Sequence, residues 1–155
     1  MLIITRSMDL DGLVERIGSR KVAVWTCRTC ARLCDGLGGD DAAENLAKAL
    51  NARGIEVVGN ASTSASCLWS KVAAAMEKEP FRDADLVIPL TCDAASMLLG
   101  QFTDLPRLEC TKTWGRGCLD SEGDPSLLCS LEDGSTSWVK VKELKGAEGS
   151  LGPFV

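Results

Sequence analysis

The chain contains no histidine and no tyrosine among its 155 residues. Without histidine it lacks the side chain that most often acts as a general base near neutral pH. The Ser–His and Cys–His nucleophile pairs and imidazole metal ligands go with it. Long apolar runs are missing as well. No stretch approaches the roughly 18 residues of a membrane span. Near the start, Asp9 and Asp11 interrupt the chain before an apolar signal core can form, so no secretory leader is expected. The net charge of −5 argues against nucleic acid or an anionic membrane as the main partner.

What is present is an ordinary globular composition, 45% hydrophobic and 25% charged, with eight cysteines. A chain of this length buries about 68–70% of its unfolded surface, so its core needs no disulfide staples. The cysteine content stays below the roughly 8–10% of small disulfide scaffolds. An adequate core, no leader and many thiols together predict a cytoplasmic protein that uses its cysteines for metal or redox chemistry.

Apolar patterning predicts alternating strands and helices. An extended Leu2–Thr5 precedes a helix over Leu10–Ile17 that ends at Gly18. Lys21–Thr26, Ile55–Gly59 and Asp85–Leu90 read as buried strands, and Pro106–Glu109 as a short fourth. Pro89 cannot donate a ladder bond, which predicts a stop near Ile88. Helices are expected over 42–53, 67–77 and 94–100, the first with Asp41 and Glu44 in a capping-box arrangement. Such alternation implies parallel pairing with right-handed crossovers. The expected fold is therefore a three-layer α/β sandwich of about four parallel strands, Rossmann- or flavodoxin-like. It would form one domain over residues 1–110. Residues 111–155 form an appendage with a β-hairpin around Asp133–Gly134 and a Gly-rich tail.

The cysteines fall in register with this pattern. Cys27, Cys30 and Cys34 follow the first buried strand, Cys67 the second, Cys92 the third and Cys110 the fourth. In a parallel sheet all of these points lie at the carboxyl edge, where open α/β sheets bind ligands. Several also stand at expected helix starts, where thiolate is favoured. C-x2-C-x3-C can grip one metal centre, and Cys67 or Cys92 can complete it. All-thiolate ligation suits a [4Fe–4S] cluster or a zinc ion. Structural zinc more often uses two C-x2-C knuckles, and only one is present, so the surplus of thiols favours iron–sulfur.

Other readings compete. A Cys27–Cys30 redox pair would leave Cys34 and two further thiols idle. A thiol enzyme or metallohydrolase without histidine would rest its acid–base work on Asp35, Asp93 or Glu109. Cys110 and Cys129 read equally well as small buried hydrophobes. The loop Gly36–Gly39 departs from G-x-G-x-x-G, and Asp40 and Asp41 would repel a phosphate, so it reads as a flexible connection. Trp25, Trp69 and Trp114 flank the cysteine segments, as core residues or as a shield against water. Lys112, Arg116, Lys140, Lys142 and Lys145 make the last third locally basic.

The run T-C-R-T-C-A-R-L-C-D-G-L-G-G at 26–39 resembles the cysteine–glycine loop of the small subunit of acetogen-type methylenetetrahydrofolate reductase. The likeness continues through G-I-E-V-V-G at 54–59, Cys67, A-D-L-V-I-P-L-T-C at 84–92 and L-P-R-L-E-C at 105–110. It covers about residues 8–130. The segment 115–129 is similar to the family's second cysteine segment in degenerate form, without the long cysteine-rich ending. Cys110, Cys118 and Cys129 would supply at most a partial second site. The resemblance implies a non-catalytic electron-transfer subunit that carries iron–sulfur, with zinc as the alternative. Its implied partner is a flavin-containing methylenetetrahydrofolate reductase-like subunit or another one-carbon enzyme. It implies a primary site drawn from Cys27, Cys30, Cys34, Cys67 and Cys92.

Overall fold

A computed structural model describes residues 1–143. In chain order the elements are β1 (Leu2–Arg6), α1 (Leu10–Ile17), β2 (Val22–Cys27), α2 (Cys30–Leu33), α3 (Asp40–Ala52) and β3 (Val57–Thr63). There follow α4 (Trp69–Met76), β4 (Leu86–Leu90), α5 (Asp93–Leu99), β5 (Thr111–Leu119), β6 (Pro125–Ser130), β7 (Thr136–Lys140) and a closing 3-10 turn, Val141–Glu143. The expected tail lies outside the described residues.

Two sheets form. One is parallel and three-stranded, in the order β3-β2-β4. Its central strand alternates faces. Val22 and Val24 pack with Leu13, Ile17, Leu46 and Leu50 of α1 and α3. Ala23 and Trp25 pack with Val72, Phe81 and Leu99 on the side of α4 and α5. Because β2 is covered on both faces, it reads as a continuous apolar run rather than an alternating one.

The second sheet is antiparallel and four-stranded, in the order β1-β5-β6-β7. This corrects the expected fold. The chain is not a Rossmann- or flavodoxin-like sandwich of about four parallel strands, and the expected hairpin around Asp133–Gly134 forms as β6 and β7 within this second sheet rather than as an appendage. The N-terminal strand leaves the parallel sheet and pairs with β5, Leu2 opposite Arg116 and Arg6 opposite Thr111. Pro106–Glu109 contributes only one bridge, Arg107 to Val87, before the chain turns into β5. Local patterning reports that a segment is extended but not which strand it will pair with, and that is where the expectation failed.

Smaller departures have local causes. Helix α3 starts at Asp40, with Gly39 as its N-cap and no side-chain cap, so the expected box at Asp41 and Glu44 does not form. Pro89 stays inside β4. That strand is an edge, and Val87 turns its N–H and C=O outward to Pro106 and Leu108. Pro89, two residues on, shares this outward side, so its missing N–H removes no bond to β2. Among the described residues no helix is long and apolar enough to cross a membrane.

Candidate metal centre

The two sheets meet at the carboxyl edge of the parallel one. Ile3, Ile4, Leu127 and Val141 of the antiparallel side pack against Cys27, Ala31, Cys34, Leu37, Cys92 and Ala95. Three of the five expected cysteines thus line one apolar seam. Cys27 is the last residue of β2 and Cys92 caps α5 just beyond β4. Cys30 opens α2 and is half-buried, and Cys67 is exposed in the loop after β3.

Electrostatics identifies which thiols share a neighbourhood. Burial pushes the Cys92 thiol up, the Ala95 backbone N–H opposes this, and the sulfurs of Cys30, Cys27 and Cys67 then raise it further. Three separate chain segments therefore carry thiols that bear on Cys92. Cys34 stands apart. Its sulfur accepts the Ile4 N–H at 3.4 Å and donates to the Leu2 carbonyl at 3.6 Å. Burial pushes its thiol up to about 11, opposed by the Ile4 N–H. This thiol is turned toward β1, where both of its hydrogen bonds lie. No cysteine is paired in a disulfide.

The spacing is wide. Among the described residues no three cysteine sulfurs lie within 4.8 Å of one another. Zinc bonds of about 2.3 Å to sulfur require thiolates about 3.8 Å apart, whereas a cubane cluster holds its thiolates farther apart. Ile3, Ile4 and Leu127 wall one side of Cys27 and Cys92 and limit water there.

The remaining cysteines do not join. Cys110 packs in the core beside Leu13 and Leu108, and burial pushes its thiol up to about 12. Cys118 and Cys129 lie on β5 and β6, where the Arg116 guanidinium donates to the Cys129 sulfur at 3.5 Å.

The other candidates resolve into structural roles. Trp25 is fully buried, edge-on to Phe81 at 5.9 Å, whereas Trp69, two residues after Cys67, is exposed and meets Phe102 at 4.5 Å with the rings tilted by 52°. Gly38 belongs to a tight junction: a Cβ there would meet Ala31, the Leu90 carbonyl and the Cys27 carbonyl. A hollow beside it is lined by Asp35, Asp40 and Asp41 with Arg32 as its one cation, so carboxylates outnumber the group that could hold a phosphate. Burial pushes the Asp35 carboxyl up, as does Asp124, while Lys142 opposes. Asp93 and Thr113 bond reciprocally, the Asp93 N–H to Thr113 Oγ1 at 2.8 Å and the Thr113 N–H to Asp93 Oδ1 at 3.0 Å. Glu109 accepts from the Ser96 hydroxyl.

Asp120, Glu122 and Asp124 also cluster, and sequence reasoning did not single them out. Their cation is already present: Lys140 bridges all three carboxylates, and Lys142 bonds Asp124. Hydrogen bonds from Lys140 and Lys142 hold Asp120 and Asp124 below the usual carboxylate range, and both lysines are raised in turn. Lowered carboxylates stabilise the fold above their ordinary pKa and stop doing so as pH falls through the folded one. Lysines with raised pKa add stability until pH climbs past their ordinary range. Lys140→Met should therefore lower the melting temperature at pH 7, and the deficit should shrink as acid neutralises the three carboxylates. Thermal unfolding of both proteins at pH 7 and near pH 3.5 tests this; a deficit equal at both would refute it. Lys145 lies outside the described residues.

Sequence reasoning also missed the hydroxyl residues beside the thiols. Their signal was present as Ser or Thr immediately before Cys at 26–27, 29–30, 66–67 and 91–92. Compared with protein-family models, curated proteins and solved structures, the chain matches none.

Proposed function

We propose that this chain is a cytoplasmic electron-transfer subunit. Cys27, Cys30, Cys67 and Cys92 would hold a [4Fe–4S] cluster that exchanges single electrons with a flavoprotein partner of one-carbon metabolism, of the methylenetetrahydrofolate reductase kind. The observation that carries this reading is the placement of Cys27, Cys30, Cys67 and Cys92 at the carboxyl edge of the parallel sheet, where Cys27 and Cys92 line the apolar seam and the other three thiols bear on Cys92. The chain's own part is placement: it buries Cys27 and Cys92, keeps Cys67 at the surface, and walls one side with Ile3, Ile4 and Leu127. An exposed ligand on one side and an apolar wall on the other give electrons a short path out while limiting water at the centre. The sequence resemblance to the reductase's small subunit supports the choice of partner.

Anaerobic purification followed by absorption spectroscopy and assays of iron, zinc and acid-labile sulfide tests the reading. The expected protein is brown, with a broad visible band and iron matching sulfide. A colourless protein with stoichiometric zinc would instead make it an assembly module of the same kind of complex. A protein free of metal after anaerobic handling would overturn both.

A further inference from the structure

Each of the four converging cysteines follows a hydroxyl residue: Thr26 before Cys27, Thr29 before Cys30, Ser66 before Cys67 and Thr91 before Cys92. The four cysteines outside the set follow Leu33, Glu109, Gly117 and Leu128. Ser and Thr fill only about one position in seven of the chain, so composition alone does not produce this division.

The hydroxyl residues tie the thiol-bearing segments together. Thr26 Oγ1 donates to the Leu90 carbonyl at 3.3 Å and accepts the Gly39 N–H at 2.8 Å, joining the ends of β2 and β4 to the glycine loop. Thr29 Oγ1 donates to the Ser64 carbonyl, joining the Cys30 turn to the loop that carries Cys67. Ser66 Oγ shares a 2.7 Å bond with Thr63 Oγ1 and donates to the Thr26 carbonyl at 3.4 Å, joining the same loop to the end of β2. The Thr91 hydroxyl donates to the Cys92 carbonyl, and the Thr91 carbonyl accepts Thr111 Oγ1 at 2.7 Å, joining the Cys92 turn to β5. Thr26, Ser66 and Thr91 are buried.

We propose that Thr26, Thr29, Ser66 and Thr91 are positioning residues that hold the four thiols in place before any metal arrives. This rests on the metal-binding reading above. Strand ends leave carbonyls without ladder partners, and neutral hydroxyls satisfy them without adding charge beside thiolates. Ligands drawn from separate segments gain affinity when their supports are fixed in advance, and loss of such a support typically lowers metal affinity about 10–100-fold.

Cobalt(II) is a direct probe, because its thiolate charge-transfer band reports ligation without cluster assembly. Apo wild-type protein, Ser66→Ala, Thr29→Val and Ser66→Thr are titrated anaerobically with Co(II), and melting temperatures are recorded for the apo forms. Ser66→Ala and Thr29→Val should each bind Co(II) about 10-fold or more weakly, and Ser66→Thr should recover most of the loss. Thr29 is exposed, so its variant keeps the test open should Ser66→Ala fail to fold. Wild-type affinity in both Ser66→Ala and Thr29→Val would overturn the positioning role and leave the metal site standing. A wild-type protein that takes up neither Co(II) nor iron and sulfide would overturn the metal site and the positioning role together.

Discussion

Cys92→Ser purified without oxygen should be nearly free of iron and sulfide, whereas Cys34→Ala should keep both. The two residues look alike in sequence: both are buried and both belong to the cysteine segments. Their surroundings separate them. Cys92 lies just beyond β4, packed in one cluster with Cys27 at the end of the neighbouring strand. The Cys34 sulfur is engaged by the backbone of β1 at Ile4 and Leu2. Serine at position 92 offers a harder, poorer ligand and breaks the set. Alanine at position 34 removes two weak hydrogen bonds and leaves a small void, at a cost of about 1–2 kcal/mol. The expected pattern is colour lost with little change in fold for the first, and colour kept with a lower denaturation midpoint for the second. Cys67→Ser is the sharpest companion, since Cys67 and Cys34 compete for the fourth place beside Cys27, Cys30 and Cys92. Iron lost from Cys34→Ala but kept in Cys67→Ser would replace the ligand set drawn here with the local triplet plus Cys92.

Gly38→Ala should damage the fold and the site together. The added Cβ would stand 2.4 Å from the Ala31 Cβ, 2.9 Å from the Leu90 carbonyl oxygen and 3.0 Å from the Cys27 carbonyl oxygen. None of these is the free end of a flexible side chain, so the backbone that carries the ligands must shift. Overpacking of this kind costs about 1–3 kcal/mol. Metal content should fall as well, because two of the displaced segments lead into Cys27 and Cys92. Gly36→Ala is the control: nothing lies within 4 Å of its new methyl, and only its φ of +69° is unfavourable. That variant should lose about 1–2 kcal/mol and keep its metal. Equal metal content in the two variants would show that the Gly38 contact does not support the site.

Much of the parallel half was legible in the sequence. Apolar runs at 21–26 and 85–90 became β2 and β4, and cysteines placed just after strands fell at one edge because parallel strands share a direction. The antiparallel half was legible in part: the extended Leu2–Thr5 became β1 and the hairpin around Asp133–Gly134 became β6 and β7, but the strand that joins them was not, and β5 shows why. Its inward positions are Thr111, Thr113, Gly115 and Gly117, so the usual apolar alternation is silent. Those residues are small because the neighbours are close: a Cβ on Gly115 would meet the Cys129 carbonyl oxygen at 2.1 Å, and one on Gly117 the Ser126 carbonyl oxygen at 2.0 Å. A strand chosen for tight approach reads as a loop. The surroundings of Cys34 were not legible for a related reason. Cys34 stands one turn after Cys30, but the chain leaves helical geometry at Cys34, and the group that captures its sulfur lies some thirty positions earlier in β1.

The pairing of β1 with β5 also sets an order of events. Leu2 meets Arg116, so β1 must wait for nearly the whole described chain before it finds its place. The parallel strands and their helices close through much shorter loops, and contacts distant in sequence form late. The segments that carry Cys27, Cys30, Cys67 and Cys92 can therefore assemble while Ile3, Ile4 and Leu127 are still away from them. The edge that carries these thiols can form first, and β1 covers the seam over Cys27 and Cys92 last.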